Sequence, residues 1–208
     1  MTRRPVLFTL MILSLSGCWN DPQSQTAASS YTITTLLLDP GRCSTDVSTG
    51  RVDCSVLYEA TAGNGVFKSE DGGTSWDRRV DGLYEWNITV LAMDPKDPMT
   101  LYAGTENSGL FKTIDGGANW LNPSTSAGTI RSITAITVDP YATCLPSPCI
   151  YVGSEESGVW VSDDNGLSWA QMNDGLPPGE GTIVTALTVA SYSKIPSDLC
   201  AGAEGGRL

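Results

Sequence analysis

Four short apolar segments recur along the chain, and their pattern predicts buried β-strands. Each segment is rich in β-branched residues and apolar on both faces, which is typical of a strand that is covered on both sides. Three of the four end in an Asp-Pro turn pair. The segments are residues 33–40 (ITTLLLDP), 88–95 (ITVLAMDP), 133–140 (ITAITVDP) and 184–191 (VTALTVAS).

A second and a third strand are predicted after these segments. The second strand recurs at residues 57–61 (LYEAT), 101–105 (LYAGT), 150–154 (IYVGS) and 199–203 (LCAGA), and the third at 65–69 (GVFKS), 109–113 (GLFKT) and 158–162 (GVWVS). Cys200 occupies the strand position that tyrosine holds in the three earlier copies. We therefore expect the Cys200 side chain to be buried.

A turn motif with the pattern S/T-x-D-x-G-x-x-W follows each third strand. Its Asp can accept hydrogen bonds from turn amides, and its Gly supplies a positive φ. We expect the Trp to pack its ring into the sheet. The motif residues are Ser69, Asp71, Gly73 and Trp76, then Thr113, Asp115, Gly117 and Trp120, then Ser162, Asp164, Gly166 and Trp169.

This motif resembles the Asp-box, or BNR, repeat of β-propellers such as sialidases, sortilins, xyloglucanases and photosystem II assembly factors. Asp115 follows Asp71 by 44 residues and Asp164 follows Asp115 by 49, and blades of four strands repeat every 40–50 residues or so. The resemblance implies an all-β, partial propeller over residues 31–208, with about three and a half four-stranded antiparallel blades. The implied blades are 31–82, 83–127, 128–178 and a partial 179–208.

The number of blades raises a question about the chain itself. Propellers usually close a ring with four to eight blades, and the three and a half expected here are fewer. We expect a truncated reading frame or a fragment. Pairing with another chain to complete a ring is the alternative.

The N-terminus predicts export and lipidation. Arg3 and Arg4 precede the apolar residues 6–15, a stretch too short to span a bilayer comfortably. Residues 15–18 (LSGC) resemble the lipobox of bacterial lipoproteins, which implies a signal peptide at 1–17 and an acylated Cys18 that anchors the protein to the cell envelope. An ordinary secretory signal with a chance Cys is the alternative. Residues 18–30 are predicted to form a flexible tether.

The residue after the lipidated cysteine bears on membrane sorting. It is Trp19 rather than Asp, which by resemblance to enterobacterial lipoproteins favours the outer membrane if the host is Gram-negative.

Four other cysteines form two closely spaced pairs. Cys43 and Cys54 are eleven residues apart, and Cys144 and Cys149 are five apart. Both pairs fall between a first and a second strand. Since the chain is predicted to be exported, we expect each pair to form a disulfide that closes a loop. Free thiols or a metal site are the alternatives.

Charge and composition exclude several kinds of function. The formal charge of −11 becomes −13 without residues 1–17, which argues against binding nucleic acid. The chain has no histidine, so it has no Ser-His-Asp triad and no His-ligated zinc site. Residues 163–166 (DDNG) are similar to the start of a calcium loop but lack the glutamate at EF-hand spacing. We predict no metal and no cofactor.

The resemblance also divides the loops into two groups. In this family the Asp-box turns lie on one face and ligands usually bind the opposite face, so a structural role is implied for the Asp-box aspartates. Aromatic rings beside a carboxylate suit a carbohydrate or a peptide. A solvated loop whose Trp packs on its neighbours is the alternative. The candidate ligand-face residues are Tyr84, Glu85, Trp86, Glu106, Asn107, Glu155 and Glu156.

Three functions are compatible with these patterns. We favour a non-catalytic binding or assembly scaffold, with a protein or carbohydrate ligand and no catalytic residue. The alternative is a fragment or relative of a glycoside hydrolase. Sialidases need an arginine cluster, and the arginines of this chain do not recur in register. Xyloglucanase-type enzymes use paired Asp residues across a cleft between two propellers, which half a propeller cannot build. A remnant without activity is the third possibility.

Overall fold

The structure is a computed structural model that describes residues 31–50, 52–123, 130–139, 148–174, 176, 183–190 and 198–204. The predicted signal peptide, Cys18 and the tether lie outside these residues. The described part is all-β, with one short 3-10 turn at Pro40–Arg42, which confirms the predicted fold class. None of its helical segments has the length and apolar character that crossing a membrane requires.

Fifteen strands form antiparallel sheets. In chain order they are β1 (Ile33–Leu38), β2 (Cys43–Thr45), β3 (Val52–Cys54), β4 (Leu57–Thr61), β5 (Gly65–Ser69), β6 (Asp77–Arg78), β7 (Ile88–Asp94), β8 (Asp97–Thr105), β9 (Leu110–Thr113), β10 (Ile133–Asp139), β11 (Cys149–Ser154), β12 (Gly158–Ser162), β13 (Ala170–Gln171), β14 (Ile183–Ala190) and β15 (Asp198–Glu204). The described segments include all the strands that the repeats predicted.

The strands form four main sheets and one small hairpin. The main sheets have the orders β1-β4-β5-β6, β7-β8-β9, β10-β11-β12-β13 and β14-β15, and β2 pairs with β3 as the hairpin. In the second sheet a single bridge between Lys112 and Leu121 stands where the first and third sheets have a short fourth strand. This repeated order is that of propeller blades.

Each main sheet has the same irregularity near the start of its first strand. The register shifts around Thr34, Thr89, Thr134 and Thr185 in the four sheets. At these shifts the threonine hydroxyls donate to a backbone carbonyl of the following sheet: Thr34 to Ile88 (2.8 Å), Thr89 to Ile133, and Thr134 to Val184. A row of hydroxyl bonds therefore links consecutive sheets.

The core lies between consecutive sheets. One cluster joins the first and second sheets and includes Tyr58, Ala60, Ile88, Leu91 and Trp120. A second cluster joins the second and third sheets and includes Tyr102, Ile133 and Val138. Because each sheet covers the next, burial of a first strand depends on the sheet that precedes it.

The prediction that all first strands are buried is wrong for β1. Ile33, Leu36 and Leu38 are 50%, 55% and 54% exposed, whereas their counterparts in β7, Ile88 and Leu91, are buried. Those counterparts pack against the preceding sheet. Within the described residues no sheet precedes β1, so its apolar face remains open.

The prediction that Cys200 is buried is also wrong. Cys200 is a free, exposed cysteine in β15. Its counterparts Tyr58 and Tyr102 point toward the following sheet and are covered by it. Among the described residues no sheet follows β14-β15, which accounts for the exposure.

Candidate functional site

The strand pairing shows that the predicted sites lie at two opposite ends of the sheets. In the first sheet Ile33, Thr61 and Gly65 are paired at one end, while Leu38, Leu57 and Ser69 are paired at the other. The turns with the S/T-x-D-x-G-x-x-W motif follow the third strand and so lie at the second of these ends. We call them the Asp-box turns, and this end the Asp-box end, after the repeat that the motif resembles. The loops that carry the candidate ligand-face residues lie at the first, which we call the loop end.

The three Asp-box turns share one hydrogen-bond pattern. In the second turn the Thr113 hydroxyl donates to Asp115 Oδ1 (2.7 Å) and accepts from the Gly117 amide (3.1 Å). The Asp115 carboxylate also accepts from the backbone amide and the side-chain amide of Asn119, both at 2.9 Å. The first and third turns repeat the pattern with Asp71 and Ser75, and with Asp164 and Ser168.

Hydrogen bonding lowers the pKa of each Asp-box carboxyl. The bonds from Ser75 and Ser69 lower the pKa of Asp71 to about 2, and those from Asn119 and Thr113 do the same for Asp115. Burial opposes the shift at Asp164, yet the bonds from Ser168 and Ser162 still lower its pKa. These carboxyls are held ionised as turn acceptors, which is unlike the raised pKa that a general acid needs.

The glycines of the turns adopt the conformation that the motif requires. Gly73, Gly117 and Gly166 have φ values of 88°, 88° and 90°. This left-handed region favours glycine because a Cβ atom is strained there. The turn therefore depends on glycine as well as on the carboxylate.

The three Asp-box tryptophans differ in burial. Trp120 is 1% exposed, and its indole N–H donates to the Arg79 carbonyl of the first sheet (3.1 Å). Trp76 and Trp169 are half-buried. Trp120 is covered because the first sheet lies against it, so it contributes to the core between the two sheets.

The cysteine loops are described in part. Cys43 and Cys54 form a disulfide across the β2–β3 hairpin, as predicted. Cys149 is disulfide-bonded, while Cys144 lies outside the described residues.

At the loop end, Glu85 acts as a structural acceptor. Its carboxylate accepts the Asn107 backbone amide (3.0 and 3.1 Å) and the Asn107 side-chain amide (3.2 Å). Nearby, the Asn87 side chain donates to the Glu106 carboxylate, and the Ser132 amide donates to the Glu106 carbonyl (2.7 Å). These bonds tie the loop before the second sheet to the turn that contains Glu106 and Asn107, and they tie that turn to the segment just before the third sheet.

The aromatic residues that flank Glu85 are exposed and fixed in place. Tyr84 is 69% exposed, stacks edge-on against Phe111 and accepts a bond from Asn122 (2.9 Å). Trp86 is 46% exposed, donates to the Leu83 carbonyl (3.2 Å) and lies under the Arg78 guanidinium at 4.2 Å. Rings held in this way offer flat apolar surface at little entropic cost.

The turn that contains Glu155 and Glu156 is held in place by bonds to its backbone. The Glu155 amide donates to the Ser132 carbonyl (3.1 Å) and the Glu156 amide donates to the Ser154 hydroxyl (3.1 Å). Ser154 belongs to the end of β11, as Thr105 belongs to the end of β8. The turns with Glu106 and with Glu155 and Glu156 therefore occupy equivalent positions in successive sheets.

Two clefts lie at the Asp-box end. One of about 970 Å³ is bounded by the Cys43–Cys54 hairpin and the first Asp-box turn. Another of about 610 Å³ separates the second and third Asp-box turns, and the exposed side chains of Ile114, Leu121 and Leu167 line it. The polar groups that line this second cleft include Asp115 and Asp164, which already accept bonds within their own turns.

Glu59 is a buried acid that the sequence patterns did not single out. It lies in β4 at 4% exposure and accepts a bond from the Tyr31 hydroxyl (3.1 Å). Burial raises the pKa of Glu59, against the opposing effect of that bond. The signal was present, because Glu59 occupies the position where the next two repeats have Ala103 and Val152.

A metal centre is not formed by the described residues, since they contain no cluster of three metal-ligating side chains. The carboxylates of Asp71, Asp115 and Asp164 at one end, and of Glu85 and Glu106 at the other, instead accept hydrogen bonds from protein groups.

No family model matches this sequence, and no curated protein matches it significantly. Among solved structures, the fold is similar to an ancestral GH74 enzyme (TM-score 0.57, 19% identity, 75% of this chain and 20% of that one). It is also similar to the GH74 xyloglucanase from Xanthomonas campestris (TM-score 0.52, 25% identity, 74% and 25%) and to the computationally designed Ika4 protein (TM-score 0.56, 14% identity, 87% and 91%). The chain spans a quarter or less of these GH74 enzymes.

Proposed function

We propose that this protein is a non-catalytic β-propeller scaffold of the cell envelope that binds a protein or carbohydrate ligand through its loop end. The observation that carries the proposal is the arrangement around Glu85. The carboxylate is occupied by Asn107, whereas the rings of Tyr84 and Trp86 on either side of it are exposed.

This arrangement favours binding over hydrolysis. Glycoside hydrolysis needs two available carboxyls that face each other across the substrate. At the loop end the Glu85 and Glu106 carboxylates accept bonds from protein amides instead. Exposed, rigid aromatic rings are typical of surfaces that bind sugars or peptides by stacking.

The proposed location rests on the N-terminal sequence. The lipobox-like residues 15–18 support acylation of Cys18 and attachment to the envelope, with the outer membrane favoured in a Gram-negative host. Intact-mass measurement of the membrane-extracted protein should show a chain that begins at residue 18 and carries acyl groups. Cys18→Ser should release the protein from the membrane fraction.

A glycoside hydrolase, or a fragment of one, is the second candidate. The similarity to the Xanthomonas campestris xyloglucanase favours it, and sialidase-like chemistry belongs to the same alternative. Release of reducing sugar from xyloglucan, or turnover of a fluorogenic sialoside, by the pure protein would establish this second function in place of the first.

The binding proposal is tested with xyloglucan oligosaccharides and envelope polysaccharides as probes in calorimetry. Tyr84→Ala should weaken binding by about twofold to tenfold, because one aromatic contact contributes roughly 0.5–1.5 kcal/mol. Leu121→Ala, an equally exposed residue at the Asp-box end, is the matched control and should leave binding unchanged. If the ligand is a protein, crosslinking to it from position 84 at the loop end and from position 121 at the Asp-box end takes the place of calorimetry.

A further inference from the structure

We propose that the two outward faces of this array of sheets bind each other between two copies of the chain, head to tail. The leading face consists of Ile33, Leu36 and Leu38 on β1. The trailing face consists of Thr185 on β14 with Cys200 and Gly202 on β15. Both faces are exposed, and neither belongs to the loop-end surface around Tyr84.

The leading face repeats a surface that is already used inside the chain. Ile88 and Leu91 of β7 pack against Tyr58 and Ala60 of the preceding sheet. In the next sheet Ile133, Ile136 and Val138 pack in the same way against Tyr102. Ile33, Leu36 and Leu38 hold the same register positions in β1. They therefore present the half of the interface that packs on a preceding sheet.

The trailing face presents the other half, and its glycine shows this most clearly. A Cβ atom on Gly104 would lie 2.5 Å from Ile133, and one on Gly153 would lie 2.5 Å from Val184, so each glycine receives the first-strand side chain of the following sheet. Gly202 is the third glycine at this position. A Cβ there would meet no heavy atom closer than 3.6 Å, which leaves space for Ile33 of a second copy.

The row of threonine hydroxyls that links consecutive sheets would continue across the proposed interface between the two copies. The hydroxyls of Thr89 and Thr134 each lie within hydrogen-bonding distance of two carbonyls, one in their own sheet and one in the first strand of the following sheet, and share their single proton between them. Thr185 donates to the Gly202 carbonyl of its own sheet at 3.3 Å. The carbonyl of Ile33 occupies the register position of the acceptors Ile88, Ile133 and Val184. A docked second copy would place it within reach of Thr185.

The chemistry of the two faces fits a second copy. Neither β1 nor β14 contains a charged residue, and the charged residues of β15, Asp198 and Glu204, stand at its two ends. Glu59 pairs with Leu36 on the leading face, but it is already 4% exposed and bonded to Tyr31, so covering that face removes little further water from its carboxyl. Tyrosine in the earlier repeats is replaced by the smaller Cys200, which leaves room for Leu36 and Leu38. The described residues form four main sheets, so two copies would bring together eight such sheets, which lies within the range of closed propellers. Such a dimer would use both faces of each chain.

The test measures the mass and thiol reactivity of the full chain in detergent. Sedimentation should give twice the protein mass of the processed chain for the wild type; the unprocessed chain of 208 residues has a mass of 22.0 kDa. Alkylation of Cys200 should slow as dimer forms, because the partner covers it. Gly202→Arg fits a single chain but fills the site for Ile33, so it should raise the dimer dissociation constant about a hundredfold and restore rapid alkylation. Ile33→Arg should do the same from the other face.

Leu121→Arg is the matched control, since it adds the same exposed side chain to the second sheet, away from both faces. It carries the same lipid anchor and should remain dimeric. Three results would overturn the proposal: a wild-type monomer with reactive Cys200, a monomer whose Cys200 is protected by residues of its own chain, or a dimer that Gly202→Arg and Ile33→Arg leave intact. The last would indicate pairing through the anchor.

Discussion

The two ends of the sheets are built from the same strands but are organised differently. At the Asp-box end, three turns repeat one set of bonds around Asp71, Asp115 and Asp164. Among the described loop-end residues, only the loop before the second sheet places two exposed aromatic residues, Tyr84 and Trp86, on either side of a carboxylate. A repeated turn indicates a structural requirement that every sheet shares, whereas a unique loop can vary with function.

The clefts and the exposed aromatic rings lie at different ends of the sheets. The two clefts lie at the Asp-box end, but the Asp-box carboxylates that line them, Asp71, Asp115 and Asp164, already accept hydrogen bonds from their own turns. The loop end offers exposed rings instead. If the division is correct, substitutions at the Asp-box end should change stability, and those at the loop end should change binding.

The largest effect on stability is expected from Trp120→Ala. It removes a fully buried ring between the first and second sheets and should lower the free energy of unfolding by about 3–5 kcal/mol. Urea denaturation measures the change. Trp76→Ala is the matched variant, and because Trp76 is half-buried it should cost less. Equal losses would contradict the idea that packing between sheets decides the contribution.

A smaller loss is expected from Asp115→Ala. The substitution removes the acceptor for Thr113 and for both amides of Asn119, so unfolding should become easier by about 1–2 kcal/mol. Asp115→Asn retains one acceptor oxygen and should retain part of the stability. An unchanged thermal midpoint for Asp115→Ala would show that the turn does not depend on its carboxylate.

The acid sensitivity of the Asp-box end is expected to follow from the same bonds. The pKa of Asp71 and of Asp115 falls from 3.8 to about 2 on folding. Their stabilisation is therefore complete above about pH 4 and is lost as the pH falls toward 2. Urea denaturation between pH 5 and 2 should show a smaller decline for Asp115→Asn than for the wild type. Parallel pH curves for the two would contradict this.

The smallest effect on stability is expected from Glu85→Ala at the loop end. It removes the exposed bonds to Asn107, which contribute about 0.5–1 kcal/mol. Thermal unfolding should therefore change little. A loss of stability as large as that of Asp115→Ala would mean that the loop end also stabilises the fold. The contrast between the two ends would then disappear.

Much of this fold follows from local sequence, and the remainder depends on neighbouring sheets. The strands were predictable because apolar, β-branched segments are a local signal, and the turns were predictable because Thr113, Asp115 and Gly117 act within one loop. Exposure of Leu36 and of Cys200 was not predictable, since it depends on which sheet lies against each face. The bond from Glu85 to Asn107 spans 22 residues, and no local pattern indicates it.

The central claim is that the loop end binds a partner while the Asp-box end does not, and site-directed crosslinking in intact cells tests it most directly. A photo-reactive amino acid replaces Tyr84 in one variant and Leu121, at the Asp-box end, in the other. We expect a specific adduct with an envelope protein or glycan from position 84 and none from position 121. An adduct from position 121 alone, or the same adduct from both positions, would contradict the account.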